Sequence, residues 1–278
     1  MTRIVYVTGH EFACKALQGI TESEEFRSGA IQVPLVVGLS ESLAGSTVGY
    51  CSPGALAAQL KAEYVEVTDG TLRSIKGSLE EIAMDLLLVI GWSRLIPVDI
   101  LNIPSAKVCG SYGAIGMHPT LLPRGRGRAP IPWTIIKSLR RTGLSVFGLE
   151  EGPDEGAIVK QYSFEISKDE TSASLYSKFL RLHYVAGSEL TKIVTQKDIR
   201  ARKQNEAEAT YWQRRVPEDS KIPYDTTFKK AEAIVRGQQS PYPRARLYIN
   251  GDWKPVSRLL PDDSSPLLED EIRVRFVD

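Results

Sequence analysis

The sequence predicts an α/β fold, a mostly parallel sheet with flanking helices, followed by a small C-terminal β-containing subdomain. Three observations carry this. Strand-length apolar runs alternate with amphipathic helical stretches along the first two thirds of the chain, the pattern of a parallel sheet covered by helices. The run Leu86–Ile90 (LLLVI) is apolar without alternation, as a strand buried on both faces requires. Finally, 278 residues suffice for one large domain or two modest ones, each with its own core.

The elements follow in order. Arg3–Thr8 (RIVYVT) is a β-branched opening strand, and Glu11–Ile20 a short helix. Gln32–Gly38 (QVPLVVG) is a second strand, in which Pro34 predicts a strand start or an edge. Ser52-Pro53 opens a helix over Gly54–Ala62, with proline near the first turn. Tyr64–Val67 is a weak strand, Leu72–Ala83 an amphipathic helix, and Asp85–Ile90 the buried strand. Val108–His118 is glycine-rich with a strand-like end, and Trp133–Arg141 is helical. Gly143–Leu149 and Ala157–Phe164 read as paired strands around the loop Glu150–Gly156. A long helix runs from Ser172 to Thr195; Leu175, Phe179, Leu182, Ala186, Leu190 and Ile193 fall at three- and four-residue steps, marking its buried face. The polar stretch Lys197–Glu208 reads as a linker, which divides the chain into residues 1–200 and 201–278. The second part carries seven prolines, among them Pro241, Pro243, Pro255 and Pro261, and short strands at Ala245–Ile249 and Ile272–Val277. Short proline-rich strands rarely stand alone, so dimerisation through this part is an expectation.

Charge and cysteine content narrow the function classes. Thirty-five Lys and Arg against 34 Asp and Glu give a net charge of +1, which argues against a dedicated nucleic-acid binder and against a disordered chain. The distribution is uneven. Pro119–Leu149 holds no acidic residue but contains Arg124, Arg126, Arg128, Lys137, Arg140 and Arg141, whereas Asp262–Asp278 is mostly acidic. Cys14, Cys51 and Cys109 form neither a disulfide framework nor a CxxC pair, which points to the reducing cytoplasm. The first residues read as a strand and not as a signal peptide, and no apolar run reaches membrane-spanning length.

Several chemistries lack their signatures. The sequence has no G-x-x-x-x-G-K-[ST] and no G-x-G-x-x-G after the first strand. The three histidines, His10, His118 and His183, lack metal-ligand spacing, so no metal site is expected. His118 ends an apolar strand and leads into a glycine- and proline-bounded loop, where open α/β sheets place their sites. His10 also follows a strand, whereas His183 lies inside a helix next to its apolar face. Asp154 belongs to an ordinary turn sequence, Pro-Asp-x-Gly, and Gly125-Arg126-Gly127-Arg128 is either a solvated turn or a basic patch. A histidine and a carboxylate brought to one site could hold a proton for acyl transfer to an amine.

The stretch Gly116–Trp133 (GMHPTLLPRGRGRAPIPW) resembles the signature loop of the folate-dependent formyltransferases, Asn-x-His followed by Ser/Thr-Leu-Leu-Pro and Arg-Gly-x-x-Pro. Thr142-Gly143-Leu144-Ser145-Val146 is similar to the family's T-G-V-T strand, and Asp154-Glu155-Gly156-Ala157-Ile158 to its D-x-G-x-I motif. Ala209–Asp219, Ile234–Arg236 and Pro241–Pro243 resemble the start of its C-terminal region. The resemblance implies a Rossmann-like catalytic domain, 10-formyltetrahydrofolate as formyl donor, and a primary amine as acceptor. It implies catalytic roles for His118 and Asp154. The loop after Ile90, with Trp92, Arg94, Leu95, Ile96 and Pro97, together with Glu150 and Gly152, would receive the folate. Gly116 stands where the family has its asparagine, an oxyanion donor. Either a backbone N–H or the Thr120 hydroxyl replaces it, or the chemistry is altered, or the chain only binds.

For the acceptor, the roughly thirty residues after Tyr248 are net acidic, unlike a tRNA-binding domain, which needs several basic contacts. The resemblance is closest in type to the sugar-nucleotide N-formyltransferases, and it implies a nucleotide-linked amino sugar. Arg124, Arg126 and Arg128 would face its diphosphate or the folate glutamate, since arginine pairs with oxyanions in bidentate fashion. A methionyl-tRNA formyltransferase-like enzyme, a formyltetrahydrofolate hydrolase and a non-catalytic folate or nucleotide binder are the alternatives.

Overall fold

The computed structural model describes residues 1–68, 72–196, 199–223, 225–249 and 251–259. They form two compact units that interleave along the chain. The first comprises Met1–Arg126, Gly143–Tyr162 and Phe179–Thr210; the second comprises Gly127–Thr142, Ser163–Lys178 and the residues from Tyr211 on. The chain thus enters the second unit twice before residue 211, which differs from a single cut near residue 200.

A seven-stranded sheet is built from β1 (Thr2–Thr8), β2 (Ile31–Leu39), β3 (Glu63–Val67), β4 (Leu86–Ile90), β5 (Ala114–His118), β7 (Arg141–Gly148) and β8 (Ile158–Glu165), in the order β3-β2-β1-β4-β5-β7-β8. The strands from β3 to β5 pair in parallel, and β7 pairs antiparallel with β5. This is the mostly parallel sheet that the strand–helix alternation predicts, and the Rossmann-like fold that the family resemblance implies. Pro34 is accommodated differently from expectation. β2 lies between β1 and β3, and the register slips between Arg3↔Gln32 and Val5↔Leu35. Pro34 falls within that irregularity, where a missing N–H costs no regular ladder bond.

On one face of the sheet, Val5, Val7, Leu35, Val37, Leu87 and Val89 are buried together, the period-two pattern of strands. Helix α1 (Glu11–Thr21) and the 23-residue α7 (Ser172–Val194) approach each other closely. A β-carbon on Gly19 would lie 2.1 Å from the Tyr184 carbonyl oxygen, and one on Gly187 2.1 Å from that of Ala16, so only glycine permits this packing. The buried face of α7 includes Tyr176 and His183, while Leu182 and Ile193 are half-buried.

Shorter helices are α2 (Glu24–Arg27), α3 (Gly54–Leu60), α4 (Lys76–Glu81) and α5 (Val98–Leu101). The helix expected over Leu72–Ala83 is only α4, preceded by a 3₁₀ turn at Arg73–Ile75. The helix expected over Trp133–Arg141 is α6 (Pro130–Ile136). It begins earlier because Pro130 suits a first helical turn; Ser138 then turns left-handed, and Arg141 already belongs to β7.

In the second unit, α8 (Phe228–Gly237) and the hairpin of β10 (Ala245–Ile249) and β11 (Asp252–Val256) enclose a small core of Ile222, Ala231, Val235, Ala245, Val256 and Leu259. β11, which carries Pro255, was not among the expected strands; a two-stranded ribbon tolerates the proline. The strand expected at Ile272–Val277 and the acidic stretch Asp262–Asp278 lie outside the described residues. Two-residue strands, β6 (Arg126–Gly127) and β9 (Tyr211–Trp212), complete the inventory.

The stretch expected to be a linker is well anchored where it is described. Ile199 is buried and bridges Val108, and Arg202 exchanges both backbone hydrogen bonds with Ile158 at 2.8 Å. Its polar side chains are turned to specific partners in the first unit, described next.

Candidate active site

In the first unit the strand order reverses between β1 and β4, and the loops leaving the carboxyl ends of β1, β4 and β5 begin at Gly9, Gly91 and Pro119. Such an edge is where open α/β sheets bind ligands. His118 closes β5, opposite Ser145 of β7, and is 6% exposed. Its Nε2 lies 2.8 Å from the Gly125 carbonyl oxygen. A carbonyl only accepts, so Nε2 carries the hydrogen and the ring presents Nδ1 on its other side. That Nδ1 is 3.5 Å from Asp154 Oδ2. The structure thus brings together the two residues that were 36 positions apart in sequence.

The Pro119–Gly125 loop is held from below. Ser145 Oγ donates to the Thr120 carbonyl at 2.7 Å and accepts from Leu122 N at 3.1 Å and from Gln161 Nε2 at 2.9 Å. Thr120 is buried, and its hydroxyl points to the same Gly125 carbonyl at 3.4 Å. Gly116 is buried on β5, two residues before His118 and therefore on the same face. A β-carbon there would meet Leu149 Cδ2 at 2.8 Å and the Phe147 ring at 3.4 Å. The position of the family asparagine is thus lined by apolar side chains.

Asp154 lies in the Glu150–Gly156 loop with φ +60, a left-handed conformation that aspartate tolerates better than most residues. Gln204 Nε2 donates to the carbonyls of Asp154 and Gly156, both at 2.7 Å. Sequence reasoning missed Gln204 because it placed the residue in a linker.

The three arginines expected to bind substrate separate. Arg126 is fully buried and contacts Glu206 at 2.9 and 2.6 Å and Gln204 at 3.1 and 2.9 Å. The expected diphosphate contact is therefore corrected: the guanidinium is committed to protein oxygens. It holds the Glu206 carboxyl below its ordinary pKa through these hydrogen bonds. Arg124 is 71% exposed and makes a 3.3 Å surface pair with Glu208. Arg128 is exposed and belongs to the second unit.

Of the residues expected to receive the folate, Trp92, in the loop after β4, packs against the core cluster of the sheet. Trp92 Nε1 is buried without a hydrogen-bond partner among the described residues. A buried unpaired donor needs an acceptor, and a folate ring offers carbonyl and nitrogen acceptors, so this loop fits such a ligand. Arg94 and Leu95 are exposed, Ile96 is buried in the core, and the Pro97 carbonyl caps α5. Glu150 and Gly152 are half-buried in the Asp154 loop.

The other histidines serve the fold. His10 Nδ1 caps α1 by accepting from Phe12 N at 3.1 Å, and burial lowers its pKa to about 4. His183 lies 2.7 Å from the Phe179 carbonyl and stacks on Phe12; burial lowers it to about 3. Among the described residues no cluster of His, Cys, Asp and Glu could hold a metal ion.

A histidine–carboxylate pair beyond the strand ends of an α/β sheet is an arrangement that can hold and pass a proton. The formyl transferase family model matches residues 4–190, and the chain belongs to this folate-dependent formyltransferase family. It is 30% identical over 257 residues to methionyl-tRNA formyltransferase of Ehrlichia ruminantium (strain Welgevonden), covering 90% of this chain and 77% of that one. Among solved structures, a 4-N formyltransferase from Francisella tularensis matches with TM-score 0.70 at 19% identity, covering 94% and 98% of the two chains. An N-formyltransferase from Helicobacter canadensis, in complex with folinic acid and dTDP-3-aminofucose, matches with TM-score 0.66 at 17% identity, covering 90% and 85%. At these identities the structural likeness shows the fold.

Proposed function

We propose that the protein transfers a formyl group from 10-formyltetrahydrofolate to a primary amine, with His118 and Asp154 as catalytic residues. The observation that carries this is the approach of His118 Nδ1 to Asp154 Oδ2, with the ring fixed from its far side by the Gly125 carbonyl. The donor supplies an electrophilic formyl carbon. The chain's part is to stabilise charge and move one proton. With Nε2 held by the Gly125 carbonyl, Nδ1 is the edge that His118 turns to Asp154 and the reaction. The pair takes up the proton that the amine releases as it attacks, the imidazolium so formed faces the oxygen that gains charge, and the same proton then serves the departing nitrogen. Such preorganised donors are worth about 10²–10³ in rate each. Thr120 supports the Gly125 carbonyl, and Gly116 leaves oxyanion stabilisation to His118 and backbone N–H groups.

For the acceptor we assign a nucleotide-linked amino sugar. Exposed Arg124, in the loop after His118, suits an anionic group, and the Helicobacter canadensis likeness is to an enzyme bound to such a sugar. A second reading, methionyl-tRNA as acceptor, is favoured by the 30% identical relative. It is favoured also by ten Lys and Arg against five Asp and Glu over residues 211–259, a basic excess that suits a phosphate backbone. We place the enzyme in the cytoplasm, since its cysteines are free thiols, and assign it a homodimer through the second unit, whose core is small.

Donor consumption with a nucleotide-linked amino sugar, with methionyl-tRNA and with neither decides among these. Sugar-dependent consumption supports the first assignment and tRNA-dependent consumption the second. Formate release without any amine identifies a hydrolase, and no consumption identifies a binder.

A further inference from the structure

We propose that Gln204 is a positioning residue for Asp154, and that buried Arg126 locks Gln204 in the orientation this requires; the proposal rests on the catalytic reading of His118 and Asp154. Its orientation follows from its partners. Arg126 can only donate, and reaches Gln204 Oε1 through Nε at 3.1 Å and Nη2 at 2.9 Å. The carbonyls of Asp154 and Gly156 can only accept, and each takes a hydrogen from Gln204 Nε2 at 2.7 Å. The amide therefore has one possible setting, with oxygen toward Arg126 and nitrogen toward the Asp154 turn.

These contacts close a route between the two catalytic residues that avoids their side chains. His118 Nε2 is bonded to the Gly125 carbonyl, whose next residue is Arg126. Arg126 holds Gln204, and Gln204 holds the backbone on both sides of Glu155. The Asp154 backbone needs such a grip, since non-glycine residues at positive φ persist only where their surroundings impose it. Arg126 is itself fixed. Its side chain is fully buried, it forms a two-point contact with Glu206, and its N–H donates to the Thr210 carbonyl at 2.9 Å. All of these residues lie in the first unit. Bidentate pairs are the more directional kind of ion pair, and here both points are taken by Glu206.

The test uses Gln204→Glu and Gln204→Met in the full chain. Gln204→Glu keeps an acceptor for Arg126 but cannot donate to the two carbonyls; Gln204→Met keeps the size and loses both contacts. The chain has three histidines, so imidazole NMR of the labelled protein reads His118 directly, with His10 and His183 as internal controls. A displacement of about 1 Å costs up to about a hundredfold in rate, so both variants should lower kcat about tenfold or more while KM stays within about twofold. The His118 signals should move as they do in Asp154→Asn, with those of His10 and His183 unchanged. Wild-type His118 signals in folded Gln204→Glu would overturn the proposal, as would a loss confined to KM. If Asp154→Asn itself leaves turnover intact, the catalytic reading fails, and the NMR comparison still decides whether Gln204 positions Asp154.

Discussion

A β-carbon on Gly116 would lie 2.8 Å from Cδ2 of Leu149, so the side chain of Leu149 fills the space that an asparagine at this position would need. Real β-carbons do not approach that closely, and Leu149 must move to admit one. Gly116→Asn is predicted to destabilise the protein by about 1–3 kcal/mol, as overpacking does, without raising turnover. Adding Leu149→Ala should recover much of the lost stability. Thermal melts and turnover of the single and double variants check this. A faster single variant with unchanged Tm would contradict it.

Thr120 offers a separate test of the oxyanion question. Its hydroxyl is directed to the Gly125 carbonyl at 3.4 Å, a weak contact. Thr120→Val should therefore stay within about fivefold of wild-type turnover, well short of the loss expected for a main oxyanion donor. A drop of about a hundredfold in single-turnover rate would make Thr120 that donor.

His10 and His183 make stability depend on pH. Burial lowers both, to about 4 and about 3, so the unfolded chain binds more protons than the folded one below its ordinary histidine pKa. The stabilisation is fully present above about pH 6.5 and is lost as pH falls toward about 4 and 3, at up to about 1.4 kcal/mol per pH unit for each histidine. His183→Phe keeps the ring contact with Phe12 and removes one of the two groups. Its Tm should fall less steeply than that of wild type between pH 6.5 and 4. Parallel Tm curves would show that His183 does not titrate with unfolding.

Arg124 and Arg126 are two residues apart but face opposite environments. The Arg124–Glu208 pair is largely exposed, and such pairs contribute about 0–1 kcal/mol. Arg124→Ala should therefore leave Tm nearly unchanged and act, if at all, on the KM of the acceptor. Arg126→Ala removes a fully buried side chain with four hydrogen bonds to Gln204 and Glu206. It should lower stability by about 1 kcal/mol or more, since it empties a buried site and leaves the Gln204 amide oxygen without its donors. Denaturant unfolding of both variants measures the contrast, and equal stabilities would contradict it.

This contrast shows where the sequence was legible. Continuous apolar runs located the strands of the sheet, because burial on both faces leaves a direct mark on composition. The residues around His118 and Asp154 stood out through their motif. Their meeting was not visible, because a contact across 36 positions depends on how β5, β7 and their loops pack. Arg126 was misread for a related reason. Sequence shows a basic run, but only the fold reveals that Glu206 and Gln204 come to meet one of its members. Those two residues lay in a polar stretch with linker composition, and polarity alone does not separate a solvated side chain from one engaged with the fold. Pro34 misled at strand level for a simpler reason, since an irregular register accepts a missing N–H.

The most direct test of the account is single-turnover formyl transfer from 10-formyltetrahydrofolate to an amine acceptor by wild type, His118→Ala and Asp154→Asn. Each variant should keep its fold and its donor affinity and lose about a hundredfold or more in rate. Near-wild-type rates in both variants would contradict the central claim that the His118–Asp154 pair performs the transfer.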